Sequence, residues 1–114
     1  YHKDQGLVSD VFTNEVLDKL PEGNMSIGHV RYSTKATSNK ENAQPIVIRH
    51  KKANLAVPHN GNVTNATELK QELEDNGAIF TTTSDTEVIC HIIVKERLKA
   101  KKAAKLAAKF SNKG

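Results

Sequence analysis

The sequence predicts an α+β fold with helices packed against sheet, and three observations predict it. Two short apolar runs, Ile46-Val47-Ile48 and Leu55-Ala56-Val57, flank Lys51-Lys52 as the arms of a hairpin flank its tip. Two later stretches, opening at Asn65 and at Ser84, carry helix start signals followed by apolar residues at helical spacing. Between Met25 and Thr34 the residues alternate as a strand requires.

Taken in order, Gly6-Leu7-Val8 and Val11-Phe12 predict a short strand. Asn14 can cap a brief helix through Val16, Leu17 and Leu20, which Pro21-Glu22-Gly23 ends. In the strand Met25–Thr34, parity sets Met25, Ile27, His29 and Arg31 on one side and Val30 and Tyr32 on the other, so cover is expected on both faces. Positions 35–45 read as polar loop, and the hairpin follows. Asn65 with Glu68 is a capping-box-like start, Leu69 and Leu73 recur at i, i+4, and Asn76-Gly77 is a stop signal. Ala78-Ile79-Phe80 predicts another short strand. Ser84 with Glu87 is a full capping box, and Val88, Ile89, Ile92 and Ile93 form a buried stripe. From Lys95 the helix continues with only Leu98, Leu106 and Phe110 as large apolar residues.

The 114 residues suffice for one domain and one core, although aromatics make up only 4% and Trp is absent. No apolar run is long enough for a membrane span. The single cysteine, Cys90, rules out an internal disulfide and sits inside the apolar stripe, where a small buried hydrophobe is expected rather than a nucleophile. The net charge of +4 is unevenly spread. Eight of the 17 Lys and Arg, but one of the 13 Asp and Glu, follow position 94, leaving nine basic and twelve acidic residues before it. A mildly acidic body with a Lys/Ala tail does not match a nucleic-acid interface, which clusters basic residues on the folded surface. The tail reads as a solvated helix face, and neither nucleic acid nor membrane is expected as a partner.

Three polar features stand at element ends: Arg31, Asn60-Gly61 and Asp85. Each has an ordinary explanation. Arg31 can reach solvent, Asn60-Gly61 can be a turn, and Asp85 can favour the positive end of a helix dipole. Together they fit a small zwitterion. A guanidinium holds a carboxylate in a fork, a carboxylate holds an ammonium, and an Asn amide with a Gly backbone N–H can hold an oxyanion developing on a carbonyl. Glutamine fits that set, as do other amino acids. His29, His59 and His91 lack metal-ligand spacing, and no metal or cofactor is expected.

The stretches GHVRYST (28–34), ENAQP (41–45), HNGNVTNATELKQELEDNG (59–77) and TTSDTEVI (82–89), with HKDQGLV (2–8), closely resemble the glutaminase domain of the amidophosphoribosyltransferase family. The resemblance implies a class II glutamine amidotransferase of the N-terminal-nucleophile hydrolase type, a four-layer αββα sandwich. It implies that Arg31, helped by Thr34, binds the glutamine α-carboxylate and Asp85 the α-ammonium. Asn60 and Gly61 would form the oxyanion hole, Tyr32 would orient Asn60, and His59 would support the site from behind. Tyr32 and Lys35 stand where glucosamine-phosphate-forming relatives carry Trp and His. A different class II enzyme, resembling asparagine synthetase, and a non-catalytic module using the basic tail are the rival readings.

The family nucleophile is an N-terminal cysteine, and this chain opens on Tyr1. Residues 1–114 are therefore expected to be a partial sandwich with its first strands missing, 1–94 matching the domain core and 95–114 forming a basic helical tail. Alone it is expected to be inactive. The phosphoribosyltransferase domain, where Mg2+ and phosphoribosyl pyrophosphate would bind, is expected to lie elsewhere in a cytoplasmic, homo-oligomeric parent enzyme of purine biosynthesis; whether that parent holds an iron–sulfur cluster stays open. Pro58 and Lys35 depart from the family pattern, and Pro58 removes a backbone donor beside the site.

Overall fold

A computed structural model of the protein describes residues 1–32, 39–51 and 53–111. They form an α+β arrangement. Helices α1 (Val8–Val11) and α2 (Asn14–Lys19) precede a 3-10 turn at Lys40–Asn42, strands β1 (Ile46–His50) and β2 (Ala53–Val57), and helices α3 (Ala66–Asp75) and α4 (Asp85–Ser111).

The hairpin forms as the sequence predicts. β1 and β2 pair antiparallel, with Ile46 opposite Val57, Ile48 opposite Leu55 and His50 opposite Ala53. Because side chains alternate, Ile46, Ile48, Leu55 and Val57 share one face, and both strands pack on α4. Exposed Arg49, Asn54 and Ala56 lie on the other. The core at this junction is small: Ile46, Leu73, Val88 and Cys90 are its buried apolar residues, with Gln44, Thr86 and Glu87 buried among them. Val88 and Cys90 are interior as expected, whereas Ile93, at the end of the stripe, is exposed.

Helix α3 ends on a complete Schellman motif. Gly77 takes φ +95°, its N–H donates to the Glu74 carbonyl (2.9 Å), and the Ala78 N–H donates to the Leu73 carbonyl (2.9 Å). That closure corrects the strand expected at 78–80: the Ala78 N–H serves the helix end, and no ladder forms. At the other end the Asn65 side chain makes no capping bond, so the expected box is absent. Helix α2 is capped by Thr13, whose Oγ1 accepts from the Val16 N–H (3.4 Å), rather than by Asn14.

Two further expected strands are not strands over the described residues, positions 33 and 34 lying outside them. Residues 8–11 close a helical turn, in which the Leu7 carbonyl accepts from Asp10 and Val11 (2.9 and 3.0 Å). Residues 24–32 have no partner strand among the described residues, and Met25, Val30 and Tyr32 are exposed. The cause is the same in both. A helical turn satisfies its backbone locally, whereas a strand needs a neighbour, and the one sheet described here ends at β1 and β2. The N-terminal segment is instead anchored through Lys3, whose ammonium donates to the carbonyls of Ala43 (2.8 Å) and Glu41 (3.3 Å).

Helix α4 spans 27 residues, about 40 Å at 1.5 Å per residue. Its first half packs on α3 and the hairpin. From Glu96 to Ser111 every residue is exposed, so that half rests on the helix-forming tendency of Ala, Lys and Leu and on local pairs such as Lys99–Glu96 (3.0 Å).

Candidate active site

The loop after β2 is held at both ends. The His59 N–H donates to Gln44 Oε1 (2.5 Å), and the Val63 N–H donates to Asp85 Oδ2 (2.7 Å). Asn60 and Gly61 lie between these two bonds. No strand follows them, so they are not the turn of a second hairpin. The His59 ring lies against Gly61, where an added Cβ would stand 2.8 Å from Nε2 and 3.3 Å from Cε1. On its other side His59 Nδ1 is 3.4 Å from Oγ1 of the fully buried Thr86. A side chain at 61 would therefore have to displace this ring.

Asn60 faces a cleft of about 600 Å³ whose other walls are Gly28, His29, Val30, Arg31 and Tyr32. Arg31 and Asn60, 29 positions apart in sequence, thereby face one open surface hollow. Tyr32 also lines it, with its side chain almost wholly exposed and no described hydrogen bond to Asn60. Asp85 is not in the cleft wall and joins the site through Val63. Thr34, like Lys35, lies outside the described residues. A second hollow, between His50 and Leu55 on the hairpin and Ile93 to Lys101 on α4, is only about 40 Å³, too small for an amino acid.

Behind the loop, Glu87 organises the entry to α4. The capping box predicted on Ser84 and Glu87 forms by half. Ser84 Oγ accepts from the Thr86 N–H (3.3 Å), but Glu87 turns to residues 81 and 82. Its carboxylate accepts from the N–H groups of Thr81 (3.0 Å) and Thr82 (2.7 Å) and from both hydroxyls (3.2 and 2.6 Å). Burial pushes its carboxyl up, and these four bonds outweigh that, holding it below the ordinary carboxylate value. His91 Nε2 stands 3.6 Å from Glu87 Oε1, beyond hydrogen-bond reach, with Phe80 packed on the ring at 4.5 Å.

Gln44, Asn42 and Thr86 are site-supporting residues that pattern reading passed over. Asn42 and Thr83 bond reciprocally: Asn42 Nδ2 donates to Thr83 Oγ1 (2.8 Å) and the Thr83 N–H donates to Asn42 Oδ1 (3.0 Å). The ENAQP words hinted at this, but no periodicity connects 42 with 83.

The cleft wall carries one guanidinium, of Arg31, and one side-chain amide, of Asn60; a guanidinium can grip a carboxylate and an amide N–H can donate to an oxyanion. Cys90, the single cysteine, is buried, and desolvation pushes its thiol up to about 11, with the Glu87 charge adding to the effect. Among the described residues no three His, Cys, Asp or Glu side chains converge as metal ligands.

The family model of the glutamine amidotransferase domain matches residues 29–111, and the chain belongs to that family. Its relatives narrow the class. It is 50% identical over 99 residues to an amidophosphoribosyltransferase of Methanocaldococcus jannaschii, covering 87% of this chain and 21% of that protein. It is 52% identical over 93 residues to the Bacillus subtilis amidophosphoribosyltransferase (81% and 19%). To the chloroplastic amidophosphoribosyltransferase 3 of Arabidopsis thaliana it is 52% identical over 94 residues (82% and 18%). The chain thus spans about a fifth of the length of these relatives. No solved structure matches it.

Proposed function

We propose that this chain is the glutamine-binding part of an amidophosphoribosyltransferase, in which glutamine is hydrolysed to supply ammonia for purine biosynthesis. The observation that carries the reading is the shared cleft of Arg31 and Asn60 in a chain half identical to those enzymes. Arg31, with Thr34, binds the α-carboxylate, and Asp85 takes the α-ammonium. Asn60 and Gly61 stabilise the tetrahedral oxyanion as a thiolate forms a C–S bond to the side-chain carbonyl. The C–N bond then breaks, ammonia leaves with a proton, and water cleaves the thioester to glutamate. Since Cys90 is interior and held in the thiol form, the thiolate comes from outside these 114 residues, and the chain alone does not turn glutamine over. Tyr32 and His59 orient the Asn60-Gly61 loop. The complete fold is the αββα sandwich of N-terminal-nucleophile hydrolases, with the outward face of β1 and β2 covered by a second sheet.

In the parent enzyme ammonia displaces pyrophosphate from phosphoribosyl pyrophosphate at a separate domain that uses Mg2+, within a cytoplasmic homo-oligomer. No described helix is long and apolar enough to cross a membrane. Titrating the chain with L-glutamine tests the binding step. Amide shifts are expected at Arg31, Asn60 and Gly61, with none for D-glutamine. Shifts spread equally by both enantiomers, or none, would refute the assignment.

A further inference from the structure

We propose that Asn42 and Gln44 are positioning residues that together set the spacing between Asp85 and the Asn60-Gly61 pair. The inference rests on the glutamine reading above for what those groups hold. Gln44 is 8% exposed, and its side-chain carbonyl accepts the N–H of His59, the residue directly before Asn60. Asn42, two residues earlier, uses both heads of its amide on Thr83, two residues before Asp85. One short segment therefore grips both loops of the site, 15 and 41 positions away in sequence. That segment is itself held from behind, since Lys3 binds the carbonyls of Glu41 and Ala43.

The Asp85–Val63 bond completes a closed ring that runs from Gln44 to His59, along the loop to Val63, across to Asp85, back to Thr83 and so to Asn42. A closed ring over-determines distance: neither loop can shift without breaking a bond elsewhere. In an amino-acid site, the acid grips one end of the ligand and the oxyanion donors grip the other. Their separation then selects side-chain length, which for glutamine against asparagine is one methylene, a difference sites of this kind read at roughly 10- to 200-fold. Neither residue lines the cleft.

Amide hydrogen exchange on the full chain tests the ring. Gln44→Leu should speed exchange at His59 at least tenfold and Asn42→Leu should do so at Thr83. Both should also speed Val63, which neither residue touches, while Val88 and Cys90 stay protected. Gln44→Glu and Asn42→Asp keep the acceptors and should restore protection. A Val63 amide indifferent to both leucine variants, or carboxylate variants no better than leucine, would overturn the proposal. If Gln44→Leu does not fold, the unaltered chain decides through the scalar coupling across the hydrogen bond from the His59 nitrogen to the Gln44 side-chain carbonyl carbon. Its presence supports the clamp, and its absence overturns it. In titrations, Gln44→Leu should cut the preference for glutamine over asparagine by at least fivefold. Failure of the unaltered chain to bind glutamine, with the coupling present, would refute the glutamine reading and leave the spacing role supported.

Discussion

His59 and Gly61 are locked to each other by steric contact. The Gly61→Ala side chain would press on the His59 ring at 2.8 Å, and a shift of the ring would disturb its 3.4 Å contact with Thr86. That substitution should cost about 1–3 kcal/mol in chemical denaturation, and His59→Ala added to it should cost less than the sum of the two singles. Glu87 is the other residue whose chemistry decides something beyond itself. Its folded-state carboxyl titrates below the ordinary value of 4.5, so between the two values the unfolded chain holds more protons. Its contribution is complete above about 4.5 and is lost as pH falls through the lower folded value. Glu87→Gln leaves one of the Thr81 and Thr82 N–H groups without an acceptor and should cost about 1–3 kcal/mol at neutral pH. It should also flatten the acid limb of the stability–pH curve, and an unchanged limb would show that other carboxylates set it. The capping-box pattern singled out Glu87 for the right helix and the wrong partner, because Thr81 and Thr82 present two donors each within reach.

At the scale of elements, α4 divides into a packed half and a solvated half. Ending the chain at Lys101 should remove the circular-dichroism signal of about ten helical residues and leave the denaturation midpoint of the remainder nearly unchanged, because Lys102 to Ser111 are all exposed and none of them lines the hollow against the hairpin. A large drop in the midpoint would mean that the tail packs on the body. The hairpin and both long helices were legible beforehand, each from residues adjacent in sequence: alternation around Lys51, the Asn76-Gly77 stop, the Ser84 start. The strands expected at 6–12, 25–34 and 78–80 were not realised in the described residues. Their alternation is genuine, but pairing is a property of two segments, and the second segment is not written in the first.

For the whole molecule, the cleft between the 28–32 segment and the Asn60 loop is the feature on which the proposed function depends. In a parent enzyme that supplies the thiolate, Asn60→Ala should lower kcat for glutamine hydrolysis by roughly 10²-fold or more, as loss of an oxyanion donor does, and Arg31→Ala should act mainly on KM. An unchanged kcat for Asn60→Ala would reject the oxyanion role. Arg31, Asn60 and Asp85 could be picked out as candidates by residue type and position at element ends, while Gln44 and Asn42 could not, since amides in a polar loop look like any others. The sequence alone determined the hairpin, the helices and where they stop, and its motif words place the chain in the glutamine amidotransferase family, because these depend on neighbours along the chain. Tertiary structure alone decided that Arg31 shares a cleft with Asn60, that Asp85 reaches the site through Val63, and that Glu87 serves Thr81 and Thr82. Those contacts join residues whose separation in space follows from packing, and packing sums over partners that no local pattern names.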